Sequence, residues 1–598
     1  MENYFIKDGK CLYTIVIPHA ENKNIEFATN ELVYAIQACC GDSLIVERES
    51  ERTPEFSLYL GDTSFSLSCG LKPDVKKVGP DGFKIAFGDK KIFIIGATSE
   101  GVIYGVYEFL KRVLGCEFFG YGEFQLPKTK EAYVPTEDVT VAPDIETRVR
   151  SLSWTKYDET TERRFGYNLG NGRHWVTWAH THFSLIPKEK YWDSNRDFYS
   201  DKGNQLCLSN DALKEEMAKN LISRLTEEVL SKSDLLYLMV GHEDNNDFCD
   251  CEKCKENARK YGGKAGVMMR FVNWVADKVN EFVEAAHPEK IVKTITFAYG
   301  PTVPAPVAET DEGKYVPIDE SVVAHKNVGV MLAPLGSDWA HSLIDEKYNA
   351  RTRKSLLAWQ AINAELFIWT YDSVFDDSFI YLDNWKHLAE SYRIFRDCGA
   401  KYVFDQGHAD RCYPFSDMRN YVRAKLMWDL SLDVDESIRR FMKGYYKEAS
   451  DCLYEYYRNL SEHFEKVERD FEKKGKPYKL TSYVRTQPCY RSEEFWDKKF
   501  LTENIALLEN CRANLQDTGR NGALNRLEVE MLSPVYTLME LYGHELEKGQ
   551  VVKYINFFER VCSYNGVTYY AEWGQTQDLT IYKKLVNWRS LLDREEGR

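Results

Sequence analysis

Two adjacent carboxylates follow a strongly apolar run in the sequence. Residues 235–240 read LLYLMV, and only Gly241 and His242 separate them from Glu243 and Asp244. An apolar run of this length is typical of a strand that is buried on both faces. In α/β barrels, catalytic groups lie at the carboxyl ends of such strands. The pattern therefore predicts that Glu243 and Asp244 are catalytic.

Three cysteines, Cys249, Cys251 and Cys254, come soon after these carboxylates. Closely spaced thiolates can bind zinc, but a structural zinc site takes four ligands. No later Cys-x-x-Cys or His-x-x-x-His pair supplies the fourth. We therefore expect these thiols to pack as small buried side chains in a rigid loop, with no metal and no cofactor.

The composition narrows the class of partner. A chain of 598 residues is long enough for two to four domains. Its net charge of −15 would repel nucleic acid and anionic lipid, so neither a nucleic acid nor a membrane is an expected partner. Aromatic residues make up 14% of the chain, and aromatic rings stack on the apolar faces of sugars. An oligosaccharide or glycan is the predicted substrate.

The sequence shows neither a secretory signal nor a membrane span. The start, residues 1–8, has no basic segment followed by an apolar one, and no apolar stretch approaches the roughly 20 residues that cross a bilayer. The 15 cysteines, an odd number, are typical of reduced thiols rather than a disulfide framework. A cytoplasmic protein is expected, or a secreted one if a signal peptide has been removed.

Residues 1–143 are predicted to form a small α/β domain. Residues 83–87 and 92–95 read as a hairpin joined by Gly88-Asp89-Lys90, and a helix is expected from about Thr98 to Gly115. The segment 94–116 resembles the domain that precedes the catalytic barrel in family 20 hexosaminidases and family 67 α-glucuronidases.

Residues 144–413 are predicted to form a (β/α)8 TIM barrel, because apolar runs alternate with helical patterns. A doubly wound sheet usually has a Gly-rich phosphate turn after its first strand, and the sequence has none, so the barrel is favoured. Residues 414–598 are helical in pattern, and we expect this C-terminal domain to pack against the barrel and to contribute residues to its rim. The eight candidate strands are residues 148–154, 175–178, 205–208, 235–240, 294–298, 328–333, 366–369 and 402–405.

Polar and aromatic residues recur at the ends of these strands. Each alone is typical of ordinary packing, but together they predict one substrate-binding cleft. The candidate substrate-binding residues are His180, His182, Asn210, Tyr299, Trp339, His341, Trp369, Tyr371, Asp372, Asp405 and Gln406.

The barrel region, from about residue 145 to 450, resembles proteins with the former domain of unknown function 4838, now grouped as glycoside hydrolase family 163. The resemblance lies in residues 205–210, in the strand that leads to Asp244 with Cys251-Glu252-Lys253-Cys254 behind it, and in residues 426–429. It implies an endo-β-N-acetylglucosaminidase that acts on N-glycans. The wider family often has Asn where this chain has Glu243, a departure that fits the glycosidase subgroup.

Adjacent carboxylates suit substrate-assisted retaining hydrolysis, in which the substrate's acetamido oxygen is the nucleophile. We expect Glu243 to be the acid and Asp244 to polarise the acetamido group, although family 20 enzymes have the reverse order, Asp then Glu. Tyr299 or Tyr371 could bond the acetamido oxygen, and Trp369 could form the floor of the −1 subsite.

Two alternatives remain open. One is a conventional two-carboxylate glycosidase similar to α-glucuronidases, with Glu243 paired with Asp372 or Asp405 across the barrel. The other is a non-catalytic glycan-binding protein that keeps the aromatic cleft.

Overall fold

The sheet that follows the first 146 residues determines the architecture. The computed structural model describes residues 3–150, 159–168, 174–407, 413–482 and 488–593. Over these residues the chain is an α/β protein in which a small α/β region, a parallel barrel and a helical region follow one another.

The N-terminal region is built on a six-stranded sheet with helices packed on it. Its central hairpin pairs Phe83 with Gly96 and Gly88 with Lys91, as expected from the turn sequence. The predicted helix is also present, and it ends where Gly115 takes a left-handed conformation with φ of 67°. The elements are β1 (Tyr4–Lys7), β2 (Lys10–Cys11), β3 (Thr14–Ile17), α1 (Lys23–Cys40), β4 (Val46–Arg48), β5 (Ser57–Leu60), α2 (Ser64–Ser68), α3 (Val75–Val78), β6 (Phe83–Gly88), β7 (Lys91–Gly96), α4 (Ser99–Leu114), β8 (Glu117–Gly120), β9 (Glu123–Gln125), β10 (Ala132–Tyr133) and β11 (Val139–Val141).

The second region is a sheet of seven parallel strands that curls into a barrel. Its first strand pairs with its last, Thr147 opposite Tyr402, and each remaining strand pairs with the next along the chain. A doubly wound sheet would place its first strand internally, so this order identifies a TIM-type barrel. The strands are β12 (Thr147–Arg150), β13 (Trp175–Thr177), β14 (Leu235–Met239), β15 (Ile291–Ala298), β18 (Val328–Leu332), β19 (Glu365–Tyr371) and β20 (Tyr402–Gln406), with a hairpin of β16 (Val307–Glu309) and β17 (Tyr315–Pro317) outside it.

Six of the eight predicted strands are confirmed at their positions to within a few residues, and the first is confirmed over its described part. Residues 151–154 of that first strand lie outside the described residues. The third, residues 205–208, is wrong: Leu206 makes only an isolated antiparallel bridge to Tyr199. The apolar residues there, Leu206 and Leu208, are buried in the main core without belonging to a sheet.

Helices surround the barrel and are the main elements of the described residues after it, as expected. Those around the barrel are α5 (Glu159–Phe165), α6 (His182–Leu185), α7 (Lys188–Tyr191), α8 (Asp211–Ile222), α9 (Glu227–Leu230), α10 (Glu252–Lys260), α11 (Lys264–Ala286), α12 (Ala350–Gln360) and α13 (Leu388–Asp397). Those of the C-terminal region are α14 (Ser416–Trp428), α15 (Val434–Phe441), α16 (Ser450–Lys473), α17 (Lys498–Arg512), α18 (Ala523–Tyr542), α19 (Lys548–Asn565) and α20 (Ile581–Arg589). None of the helices in the described part of the chain is both long and apolar enough to cross a bilayer.

Side chains along the barrel strands point alternately into the barrel and out towards the surrounding helices. Val149, Phe367 and Phe404 belong to the core inside the barrel. Successive strand residues point to opposite faces, so the neighbours Arg150 and Asp405 point outward, towards the helices. Side chains at the strand ends therefore reach the mouth of the barrel only when they have the inward parity.

The outward-facing charges form a fully buried ion network beneath α14. Asp405 accepts from Arg423 at 2.7 Å and lies 3.3 Å from Arg150. Asp372 contacts Arg150 and lies 3.6 Å from Arg423. Burial alone would raise the pKa of Asp372, but the two guanidinium groups hold that pKa below its ordinary value. The network thus keeps paired charges between the barrel wall and the helical region.

Replacing Arg423 by Met should destabilise the protein by about 3 kcal/mol or more, because two buried carboxylates lose a counter-charge. The matched control is Arg458→Met, which removes an exposed i,i+4 ion pair with Glu462 and should change stability by about 0.5 kcal/mol or less. Calorimetric melting of both variants checks this expectation. Equal melting temperatures would contradict a structural role for the network.

Candidate active site

Hydrogen bonds join the segments that follow β13 and β14. The backbone N–H groups of Thr181 and His182 both donate to the carbonyl of Gly241. His180 donates from its ring Nδ1 to the carbonyl of His242 at 2.6 Å. A Cβ on Gly241 would lie 2.3 Å from the carbonyl oxygen of Ala179, so only glycine allows this approach. These hydrogen bonds fix the backbone immediately before the two adjacent carboxylates.

Glu243 is held from two sides. Its Oε1 accepts the backbone N–H of Phe183 at 2.8 Å. The side-chain amide of Gln205 accepts the backbone N–H of Glu243 at 3.2 Å and donates to its carbonyl at 2.9 Å. A part-buried carboxyl with a fixed backbone and one fixed oxygen is pre-oriented, which is what proton transfer to a bound substrate requires.

Asp244 points into solvent beside a tyrosine. Tyr299 donates its hydroxyl to Oδ1 of Asp244 at 2.9 Å, and Nε2 of His180 lies 4.0 Å from the same oxygen. Burial and the charge of Asp244 both raise the pKa of Tyr299, so its hydroxyl keeps its proton. The carboxylate of Asp244 remains 58% exposed, and it therefore has capacity for a ligand.

Two further histidines lie beneath the carboxylates and are neutral. Burial lowers the pKa of His182 to about 3 and that of His242 to about 4. The ring of His242 stacks on that of Tyr299 at 6.1 Å. Neutral imidazoles add no positive charge at neutral pH, so these two rings do not offset the charge of the carboxylates.

Two tryptophans form a floor at the mouth. The ring of Trp178 stacks on that of Trp369 at 5.3 Å and 15°, above Phe404. The indole N–H of Trp369 donates to Oε1 of Gln406 at 2.8 Å. Both tryptophans are half-buried, which leaves part of each ring accessible. Flat aromatic surface of this kind suits the apolar face of a sugar.

A third carboxyl reaches the mouth from the segment between α19 and α20. Gln406 donates its Nε2 to Oε1 of Glu572 at 2.7 Å, and the backbone N–H of Glu572 donates to the carbonyl of Phe375. Strands β14 and β20 lie on opposite sides of the barrel, so Glu572 faces Asp244 across the opening. The C-terminal region thus contributes a residue to the rim, as expected.

The surroundings of Glu572 raise the pKa of its carboxyl group. The residue as a whole is exposed at the rim, yet its carboxyl group is surrounded by protein on most sides. Burial raises the pKa of Glu572 to about 7, the hydrogen bond from Gln406 opposes this, and the charge of Asp244 raises it again. Near pH 7 the group can therefore either donate or accept a proton.

Four of the expected substrate-binding residues serve other contacts. Asn210 caps α8 by accepting the N–H of Leu213, and the indole of Trp339 is buried where its loop meets the C-terminal region. Tyr371 is buried and its ring packs against Phe375. Among the contacts of the described residues, none joins Asn210, Trp339 or His341 to Glu243 or Asp244.

His341 belongs to an ion cluster that links the barrel to α16. Its ring lies 3.0 Å from Asp338 and 2.9 Å from Glu468, and it stacks on Tyr348. Although burial acts to lower it, these two hydrogen bonds raise the pKa of His341 to about 9. A protonated histidine held by two carboxylates is typical of a structural contact.

The expected alternative pairing of Glu243 with Asp372 or Asp405 across the barrel does not match the geometry. Both aspartates have the outward parity, are 0% exposed and are bound to Arg150 and Arg423. Neither carboxylate can reach a substrate in the mouth without breaking that network. Their places at strand ends misled the sequence interpretation because it did not follow the alternation.

The cysteine cluster contains a fourth thiol. Cys207 lies with Cys249, Cys251 and Cys254, and all four sulfurs lie within 4.8 Å of one another. The expectation that the cluster lacks a fourth ligand is therefore wrong. The fourth thiol, that of Cys207, lies upstream, in the segment that the apolar pattern predicted to be a strand. The sequence interpretation had looked for a fourth ligand only downstream.

Trp178 and Glu572 are the other residues that sequence reasoning missed. Trp178 closes the predicted strand of residues 175–178, so the same rule that selected Trp369 could have selected it. Glu572 lies in a loop of the helical region, 329 positions after Glu243, and no local pattern signals its approach to the barrel.

Comparison with known proteins gives two family matches. The profile described as domain of unknown function DUF4838 matches residues 118–458, and the one described as glycosyl hydrolase family 67 N-terminus matches residues 7–109. The resemblances to DUF4838 and to the family 67 N-terminus are thus confirmed. Comparison with the curated proteins gives no match.

Among solved structures, the chain is similar to a GH138 enzyme targeting pectin rhamnogalacturonan II, with 12% identity, a TM-score of 0.46 and coverage of 97% of this chain and 98% of that one. CpGH84D is similar with 10% identity, a TM-score of 0.46 and coverage of 98% and 96%. CpGH84B is similar with 11% identity, a TM-score of 0.42 and coverage of 99% and 94%. The likenesses are distant, and the fold rests on the strand order described above.

The DUF4838 match spans more than half of the 598 residues and includes the whole barrel. The chain belongs to the DUF4838 family.

Proposed function

We propose that the protein is a retaining glycoside hydrolase that cleaves β-N-acetylglucosaminyl linkages in N-glycans by substrate-assisted catalysis, an activity of the glycoside hydrolase family 163 type. The observation that carries the proposal is the grouping of Glu243, Asp244 and Tyr299 beside the floor made by Trp178 and Trp369. A sugar on that floor would meet one carboxyl for its leaving oxygen and one carboxylate with a hydroxyl for its acetamido group.

The roles follow from what each group can do in its place. The carboxyl of Glu243, whose Oε1 is fixed by Phe183, protonates the glycosidic oxygen as the bond breaks. Asp244 accepts the acetamido N–H and offsets the positive charge of the oxazolinium that forms. Tyr299 holds Asp244 by its hydrogen bond and would lie beside the acetamido oxygen of a bound substrate. No protein nucleophile is needed in this sequence of steps.

Hydrolysis assays on a panel of N-glycans and chitobiosides, read by mass spectrometry, test the function itself. Release of products cut at a β-linked N-acetylglucosamine is expected, together with inhibition by a GlcNAc-thiazoline. A protein that binds these glycans and cleaves none would be the non-catalytic glycan-binding protein and would contradict the proposal.

Replacing Glu243 by Gln should lower kcat on natural glycans by roughly a thousandfold, because the general acid is lost. Dinitrophenyl substrates, whose leaving groups need little protonation, should lose far less. The matched control is Glu252→Gln, an exposed residue of α10 that pairs with Lys255 and should keep full activity. Activity within about tenfold of wild type, with an unchanged melting curve, would remove Glu243 from the mechanism.

Replacing Asp244 by Asn should sharply slow hydrolysis of the acetamido substrate and leave binding of the product sugar almost unchanged, because the interaction strengthens only as oxazolinium charge develops. The same variant should process a preformed sugar oxazoline better than the intact glycan. Tyr299→Phe should slow hydrolysis less, and should add little to the effect of Asp244→Asn because the two groups share a hydrogen bond.

A different mechanism would be recognised by a trapped covalent intermediate or by the anomeric configuration of the product. A fluorosugar trapped covalently on Glu572 or on any other carboxylate would replace the substrate-assisted mechanism with a conventional one. An inverted anomeric configuration in the first-formed product, followed by NMR, would contradict retention.

We assign to Glu572 a part of the pH response of the site, in addition to that of the general acid Glu243. Its pKa is raised to about 7, so it is protonated below that pH and ionised above it. Ionisation places a second negative charge opposite Asp244, and it removes an O–H that can donate to a substrate hydroxyl. The kcat/KM of the wild type should therefore fall as pH rises through about 7.

Glu572→Gln tests this response, because the amide stays neutral at every pH and can still donate a hydrogen bond. The variant should remain active and lose the part of the alkaline fall in kcat/KM that Glu572 causes near pH 7, while the dependence on the general acid Glu243 should remain. Asp578→Asn, in the same segment and exposed with Lys583, is the matched control and should keep the wild-type profile. An alkaline limb that persists unchanged in Glu572→Gln would contradict this assignment.

A further inference from the structure

Four thiols from two separate stretches of chain meet beside the loop that carries the two adjacent carboxylates. Cys207 precedes α8, Cys249 and Cys251 lie between Asp244 and α10, and Cys254 lies in the first turn of α10. The sulfur of Cys207 lies 3.8 Å from that of Cys251 and 3.7 Å from that of Cys254. All four sulfurs lie within 4.8 Å of one another.

These separations are those of a tetrahedral metal site. Four thiolates with Zn–S bonds of about 2.3 Å lie about 3.8 Å apart along the edges of their tetrahedron. A disulfide, in contrast, requires a sulfur separation of about 2.05 Å. The cysteines are therefore too far apart to be bonded in pairs and are spaced correctly to share one ion.

The surroundings of the cluster also favour a metal over simple packing. Cys207, Cys249 and Cys254 are 8%, 5% and 1% exposed, so the centre of the cluster is closed to solvent. Cys251 and Cys254 have the two-residue spacing, at the start of a helix, that allows two ligands to point at one ion. Simple packing of apolar side chains would not require four sulfurs to converge on one point.

We propose that Cys207, Cys249, Cys251 and Cys254 bind one structural Zn²⁺ ion. Four protein ligands fill a tetrahedral shell, so the ion has no open position for water or substrate and takes no part in the reaction. Its binding energy adds to the stability of the loops that it joins.

The ion would link the two segments that orient Glu243. Gln205, two residues before Cys207, bonds both the N–H and the carbonyl of Glu243 and also the side chain of Asn245. Tying Cys207 to the loop of residues 249–254 therefore fixes the position of Gln205 relative to the carboxylates. This inference stands on the sulfur geometry alone and does not require that the proposed hydrolysis be correct.

Metal analysis of the purified full chain tests the proposal. The untagged protein, expressed with zinc in the medium and kept reduced throughout, should contain close to one equivalent of zinc by inductively coupled plasma mass spectrometry. Exchange for Co²⁺ should give the intense visible and near-ultraviolet bands of a tetrahedral tetrathiolate. Less than about a fifth of an equivalent with no cobalt spectrum, or one equivalent of iron, would overturn it.

Variants separate a metal ligand from a buried thiol. Cys207→Ser and Cys254→Ser should each lose most of the zinc and change the cobalt spectrum, whereas Cys398→Ser, which removes a buried thiol elsewhere, should keep one equivalent. If a ligand variant fails to fold, wild-type protein titrated with a mercurial reagent should release its zinc as the thiols react. Full zinc content in a soluble Cys207→Ser variant, or no zinc release on titration, would contradict the assignment.

Discussion

The pairing of the first barrel strand with the last is the constraint on which the rest of the structure depends. Once Thr147 lies opposite Tyr402, the alternation of side chains along each strand decides which strand-end residue reaches the mouth and which faces the helices. Trp369 and Gln406 have the inward parity and line the opening, whereas Asp405 has the outward parity. One geometric rule therefore produces both the candidate site and the buried ion network.

The loop after β14 is the second determinant, because it carries both carboxylates. It is held by hydrogen bonds to residues 180–183, by the amide of Gln205 and by the cluster of thiols behind it. Such rigidity suits groups that must stabilise charge as it develops, since a carboxylate that has to reorient contributes less. The opposite rim is built differently: Gln406 connects the aromatic floor to Glu572, which belongs to the C-terminal region.

Local patterns were sufficient for much of the fold and for half of the site. Apolar runs bounded by polar residues located β14, β15 and β18, and the cap residues located the helix that ends at Gly115, because burial and capping are local properties. The same runs misplaced residues 205–208, whose leucines are buried in the core without belonging to a sheet. An apolar run specifies burial, and burial alone does not specify a strand.

Some of the errors in the site arose from distance along the chain. Glu572 and Cys207 meet their partners only through the tertiary fold, so no spacing rule could have joined Glu572 to Gln406. Asp372, Asp405 and His341 looked like cleft residues because they follow strands or aromatic residues. Each instead has an oppositely charged partner from another element, which a single sequence does not show. For Asp372 and Asp405, the alternation along β19 and β20 could have indicated the outward direction.

The central claim is that the acetamido group of the substrate reacts beside Asp244. A crystal structure of the protein with a bound GlcNAc-thiazoline, which mimics the bicyclic intermediate, tests it most directly. The account predicts that the thiazoline nitrogen lies within hydrogen-bond distance of Asp244, with Tyr299 beside the ring and the sugar face on Trp369. A thiazoline bound with its ring away from Asp244 and Tyr299, or one that does not bind at all, would contradict it.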